Sequence, residues 1–133
     1  MVSGIDTLKR RLVDEIPADV RAALEAAMLE SANAIVAGAR LRVPVETGEV
    51  RDSIRHHGVK EGKAGNLRIS VTAGDRETQE ASQGKTYQVA RLLEFGTMEM
   101  EPQPFLLPSY RANRRRAVTR MRRAIRDGIV KGR

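Results

Sequence analysis

The chain has 133 residues, of which 41% are apolar and only 3% aromatic, and it carries no cysteine. That length supports one hydrophobic core and leaves too little for a second; the missing cysteines exclude disulfides, thiol nucleophiles and cysteine-ligated zinc. The formal charge of +7 belongs to one segment: from Arg111 to Arg133 there are nine arginines and one lysine against a single acid, Asp127, so the rest of the chain is slightly acidic.

The N-terminal stretch "MVSGIDTLKRRLVDEIP" places charges where a signal peptide needs unbroken apolar sequence, and no run approaches a membrane span. Synthesis and residence in the cytoplasm, without a membrane, are the expectation. A short helix is expected over about Asp6 to Glu15, capped by Asp6 or Thr7. From Ala18 to Leu41 the apolar positions Val20, Ala23, Leu24, Ala27, Met28, Ala34, Ile35 and Leu41 recur every three or four residues, predicting a long amphipathic helix. Pro17 suits its first turn. Pro44 cannot continue it and pushes Val43 toward extended geometry, so the helix should stop near Arg42.

In "VPVETGEVRDSI", Thr47 and Gly48 mark a turn, and the segment reads as a connection leading into a strand. Leu67, Ile69, Val71 and Ala73 alternate with Arg68, Ser70 and Thr72, the period of a half-buried strand. Its expected partner is Ser53 to Val59, joined through "KEGKAGN" as an antiparallel hairpin. The polar, glycine-bounded segment 74–86 predicts a mobile loop. Tyr87, Val89, Ala90, Leu92 and Leu93 predict a short helix that Gly96 can end in a left-handed conformation. After a proline-rich stretch, Tyr110, Ala117, Val118, Met121, Ala124, Ile125 and Ile129 return to helical spacing, with a broad arginine face. The expected fold class is α+β, a single domain with helices on one side of a small antiparallel sheet.

Candidate chemistry is sparse. On a strand His56 and His57 would point to opposite faces and could not share one ion, so neither a metal site nor a catalytic base is expected there. Glu94 lacks an assignable partner and pocket for acid–base work; bonding to backbone amides of its turn, or pairing with an arginine, is the plainer role. Thr47, Ser53 and Ser109 have no nucleophile-elbow context, and "ETGEVRDS" lacks the lysine of a phosphate-binding loop. No catalytic residue and no cofactor are expected.

Two features remain. The helix face carrying Arg111, Arg114, Arg115, Arg116, Arg120, Arg122, Arg123 and Arg126 admits contact with DNA phosphates, contact with acidic protein surfaces, or simple solvation. Aromatics for base stacking are missing from it, so any nucleic-acid contact would be to the backbone of double-stranded DNA and indifferent to sequence. The stretch "LLEFGTMEMEPQPFLLPSY", Leu92 to Tyr110, holds both phenylalanines and three of the five prolines. Phe95 and Phe105 could be core residues, yet Pro102, Pro104 and Pro108 stiffen the segment, and a stiffened chain loses less entropy on docking. Core alone and core plus interface stay open from physics.

"VPVETGEVRDSI" followed by "YQVARLLEFGTMEMEPQPFLLPSYR" resembles the paired signatures of a family of small neck and tail-completion proteins of long-tailed double-stranded DNA bacteriophages, grouped with the minor tail protein Z of phage lambda. Val43, Pro44, Thr47, Gly48, Arg51, Ser53 and Ile54 match the first signature. Tyr87, Glu94, Phe95, Gly96, Thr97, Pro102, Pro104, Phe105, Leu106 and Pro108 match the second. Val50 stands where leucine is commoner, Leu107 where arginine is frequent, and Ser109 where alanine is usual. The resemblance implies a structural virion protein without enzymatic activity, joining tail to head as a homo-oligomeric ring, a hexamer favoured, around the DNA passage. Its partners would be the tail terminator, the tail tube and the head-closure protein. The interface arm would be Phe95, Gly96, Thr97, Pro102, Pro104, Phe105 and Pro108, with Pro44, Thr47 and Gly48 as a structural turn.

Overall fold

The computed structural model describes residues 16–44, 48–62, 66–82 and 84–131. The helix expected over Asp6 to Glu15 lies outside them, as does Thr47. The fold is α+β. Helix α1 spans Ile16–Arg42 and ends where Pro44 demands, with the Val43 amide donating to Ala39 O at 3.0 Å. Helix α2 (Gly48–Ser53) follows, then strands β1 (Arg55–Glu61), β2 (Leu67–Thr72), β3 (Gln79–Ser82) and β4 (Lys85–Gln88), helix α3 (Val89–Phe95) and helix α4 (Leu106–Lys131).

The frame is an antiparallel pair of long helices. Gly128 of α4 faces Val20 of α1, Arg120 faces Ser31, and Ser109 lies by Gly38 and Arg42, so the contact runs the length of both. Small residues set the spacing. A Cβ on Gly128 would stand 2.8 Å from Val20 Cα, so the backbones touch at that end, as an alanine-rich sequence with few aromatics allows. α1 also carries both strands of the first hairpin. Its buried Val36, Ala39 and Val43 join Val50, Ile54, Ala90, Leu93 and Phe105 in the principal core, with Val71 and Ala73 packed against it.

β1 and β2 pair antiparallel, His56 opposite Val71 and Val59 opposite Ile69, with a bulge between. Gly58 takes φ +75° inside that bulge, a conformation that admits glycine freely and most other residues only with strain. Both histidines are absorbed by the same hairpin. His56 Nδ1 accepts the Gly58 amide at 3.2 Å, and His57 Nε2 lies 2.7 Å from Thr72 Oγ1.

Four expectations need correction. Where a plain connection was expected, Gly48 to Ser53 forms a helical turn and a half, too short to show a period; Val50 and Ser53 are its buried residues, and Ser53 Oγ donates to Val50 O at 2.6 Å. The strand partner runs from Arg55 to Glu61 rather than from Ser53. Segment 74–86, expected as a mobile loop, contains most of a second antiparallel hairpin, Glu80 opposite Tyr87 and Ala81 opposite Thr86, with Gly84 at φ +77° in its turn. Its base is pinned: the buried Thr78 and its hydroxyl engage Asp75 and Gln88, Gln88 Nε2 donates to Asp75 O at 3.0 Å, and the Gly74 amide donates to Ser53 Oγ at 2.8 Å. Finally, α4 begins at Leu106, ahead of Tyr110 where the helical spacing was expected to resume, taking in Pro108. A proline in a first turn costs nothing there, because that N–H has no intrahelical acceptor.

Candidate functional site

The segment from Glu94 to Phe105 is a closed bracket between α3 and α4. α3 ends when Gly96 takes φ +73°, ψ 179°, and its amide donates to Leu92 O at 2.7 Å. The positive φ matches the expected helix stop, but the ψ is extended rather than left-handed helical, so the chain leaves at a sharp angle. Space enforces the residue type as well. A Cβ on Gly96 would meet Met100 O and Pro102 N at 2.8 Å each, both backbone atoms that cannot step aside.

Thr97 then closes a small turn. Its amide donates to Met100 O at 2.9 Å, while its Oγ1 accepts the amides of Glu99 at 3.2 Å and Met100 at 3.0 Å. The Gln103 amide returns to Leu93 O at 2.7 Å, tying the proline stretch back onto α3. Pro102 and Pro104 are exposed and stiffen the stretch.

Glu94 completes the bracket. It is a buried carboxylate: Oε2 accepts the amides of Phe105 at 2.8 Å and Leu106 at 2.9 Å, and Oε1 accepts that of Leu107 at 2.8 Å. The first amides of α4 have no carbonyl acceptor within the helix, and a negative charge at that end opposes the helix dipole favourably. Glu94 is therefore a capping residue supplied from another helix. This is the backbone-amide role that the sequence favoured over acid–base chemistry, though the amides are those of α4 rather than of its own turn.

The two phenylalanines divide. Phe105 is 1% exposed and sits in the core; Phe95 is 64% exposed at the end of α3, and Met98 in the Thr97 turn is fully exposed. Phe105 thus anchors the bracket to its own subunit and presents no surface, which corrects its place among the contacting residues of the arm. Pro108 lies half-buried within α4. Ser109 is fully buried with its hydroxyl satisfied, donating to Phe105 O at 2.6 Å and accepting from Arg42 at 3.1 Å.

The arginine face also divides. Arg114, Arg115, Arg116, Arg122, Arg123 and Arg126 are exposed on α4. Arg120 is turned inward instead, donating to Ser31 Oγ at 2.9 Å and pairing with Glu30 at 3.3 Å. It holds α1 to α4 and is withdrawn from the surface set. Of the expected turn residues, Pro44 follows the end of α1 and Gly48 opens α2.

A cleft of about 570 Å³ between α1, β2 and α4 is lined mainly by apolar residues, among them Met28, Ile35, Ile69, Val71 and Tyr110. The one serine in its wall, Ser31, is bonded to Ala27 O and Arg120. Among the described residues no group of three His, Asp or Glu side chains is placed to hold a metal ion, and no helix is long and apolar enough to cross a membrane.

The sequence model of the HK97-gp10-like family, described as "Bacteriophage HK97-gp10, putative tail-component", matches residues 6–96. The chain belongs to this family. The matched region contains α1, α2, both hairpins and α3, and it ends at Gly96, the residue on which the bracket turns. The rest of the bracket and α4 lie beyond it. No curated protein and no solved structure matches the chain. This is a phage tail component, and its family is a structural one.

Proposed function

We propose that this protein is a tail-completion subunit of a long-tailed double-stranded DNA phage or prophage, placed at the neck of the virion, where the tail meets the head. It acts as one member of a homo-oligomeric ring, a hexamer favoured, around the DNA passage, in contact with the tail terminator or tail tube on one side and the head-closure protein on the other. It works by shape and docking and has no enzymatic role or cofactor.

The observation that carries this reading is the bracket. The segment is held by bonds within the subunit, from Glu94, Thr97 and the Gln103 amide, and it holds out Phe95 and Met98, two large apolar side chains exposed to solvent on a stiffened frame. A fixed apolar projection is suited to filling a pocket on another chain, because little entropy remains to be lost on binding. Family membership supports a neighbour that is another phage structural protein.

A second reading, sequence-indifferent binding to double-stranded DNA, is favoured by the exposed arginines of α4. It predicts affinity that falls steeply with salt. The two are separated by deleting the gene from the phage genome. The neck reading predicts heads and tails that accumulate unjoined, with joining restored by the intact chain; joined infectious particles without the protein would overturn it.

A further inference from the structure

Among the described residues two surfaces are left without a partner, one rich in arginine and one bordering a cleft lined by three glutamates. The first is the outer face of α4. Arg114, Arg115, Arg116, Arg122 and Arg123 are exposed there and make no side-chain hydrogen bond or ion pair among the described residues. They alternate with Val118, Ile125 and Ile129, each more than a third exposed.

The second is the β3–β4 hairpin. Gln79, Glu80, Ala81, Thr86 and Tyr87 are all exposed on it. An isolated two-stranded hairpin is marginal in water, and the bonds described above pin this one at its base. Beside it, against α2, lies a cleft of about 410 Å³ whose lining includes Glu49, Glu77 and Glu80 and no cation. None of those three glutamates has an ion pair among the described residues.

We infer that the arginine face of α4 in one copy docks on the β3–β4 hairpin and its glutamate cleft in the next copy. The inference rests on the ring reading above and names the surfaces that join. A contact between two different faces of identical chains is head-to-tail, and repeated with a suitable rotation it closes into a ring. Opposed charges fix register and exclude wrong orientations, while Tyr87 on one side and Val118 and Ile125 on the other supply apolar area. The same interleaving selects protein over DNA as the occupant of this face. Valine and isoleucine gain nothing against phosphate, whereas a cleft lined by three glutamates fits the guanidinium of a neighbouring chain.

The test is a charge exchange in the full chain, read in assembled particles. Arg122→Glu with Arg123→Glu, and separately Glu77→Lys with Glu80→Lys, should each lower incorporation into particles by roughly tenfold or more. All four together should restore it to within about threefold. Far-UV circular dichroism and melting of the purified chains check folding; if a reversal unfolds, Arg122→Gln and Glu80→Gln are read the same way. The inference is overturned if the four-fold variant is no better than its parents. It is equally overturned if the glutamate reversal assembles normally while the arginine reversal abolishes salt-sensitive binding to duplex DNA, which would place α4 against nucleic acid. Absence of the unaltered protein from particles would instead remove the neck reading, and the interface with it.

Discussion

The carboxylate of Glu94 accepts the backbone N–H of Phe105 at 2.8 Å, joining the end of one helix to the start of another across a proline-rich turn. The same side chain takes the next two amides as well, so a single residue organises the junction on which the proposed docking surface stands.

Glu94→Ala leaves three amides at the start of α4 without their acceptor beside a core residue. Loss of a buried acceptor and of a cap should destabilise the chain by about 2–4 kcal/mol. Glu94→Gln keeps one carbonyl oxygen and should fall between. Urea denaturation of the three proteins checks the order, and an unchanged midpoint for the alanine variant would show that the cap contributes nothing.

Gly96→Ala should cost about 2 kcal/mol or more, since it combines a positive φ with a Cβ driven into two backbone atoms. The loss should appear as a lower melting temperature.

Gly128→Ala sets two effects against each other. Alanine favours the helix by about 1 kcal/mol, but its methyl would lie 2.8 Å from Val20 Cα, so α1 and α4 must part. Overpacking of this kind costs about 1–3 kcal/mol, and net destabilisation is the expected result in thermal melts. A gain in stability would mean that the helix ends separate freely.

Arg21 links α1 to β1 through a two-pronged pair with Glu61, 3.0 and 2.7 Å. The hydrogen bond from Arg21, and then its charge, hold the Glu61 carboxyl below its ordinary value, and the arginine is correspondingly harder to deprotonate. A depressed carboxyl stabilises the fold above its unfolded-state pKa and loses that contribution as pH falls through the folded-state value. The pair is exposed, so its effect is small and salt-sensitive. The stability difference between the parent and Arg21→Gln should therefore be present at neutral pH and low salt, and vanish in acid below the glutamate range.

Much of this architecture follows patterns that local sequence carries. The period of α1, its stop before Pro44, the alternation in β2 and the helical spacing beyond Tyr110 each reflect one residue's preference or one repeating face. The rest depends on partners far apart in the chain. Val50 becomes a core residue only once α1 and α3 surround it, so α2 has no detectable period. In the β3–β4 hairpin Gln79, Glu80, Ala81, Thr86 and Tyr87 are all exposed, so no alternation announces it. Of the candidate site, the concentration of rings and prolines is legible in the sequence, and the division of Phe95 and Phe105 between surface and core is not. Their separation into one of each is decided by where Glu94 sets the start of α4, a contact across eleven residues that no spacing encodes. Arg120 is likewise indistinguishable from its neighbours until Ser31 and Glu30 of α1 are seen beside it.

The most direct measurement compares Phe95→Ala/Met98→Ala with Phe105→Ala in both stability and assembly. Phe105→Ala removes a core ring and should cost about 3–5 kcal/mol, lowering assembly only as far as it unfolds the subunit. The double variant removes exposed groups and should leave stability within about 0.5 kcal/mol. Electron microscopy of particles carrying it should nevertheless show tails unjoined to heads. Normally joined particles built from the stable double variant would contradict the account of the bracket as a docking surface.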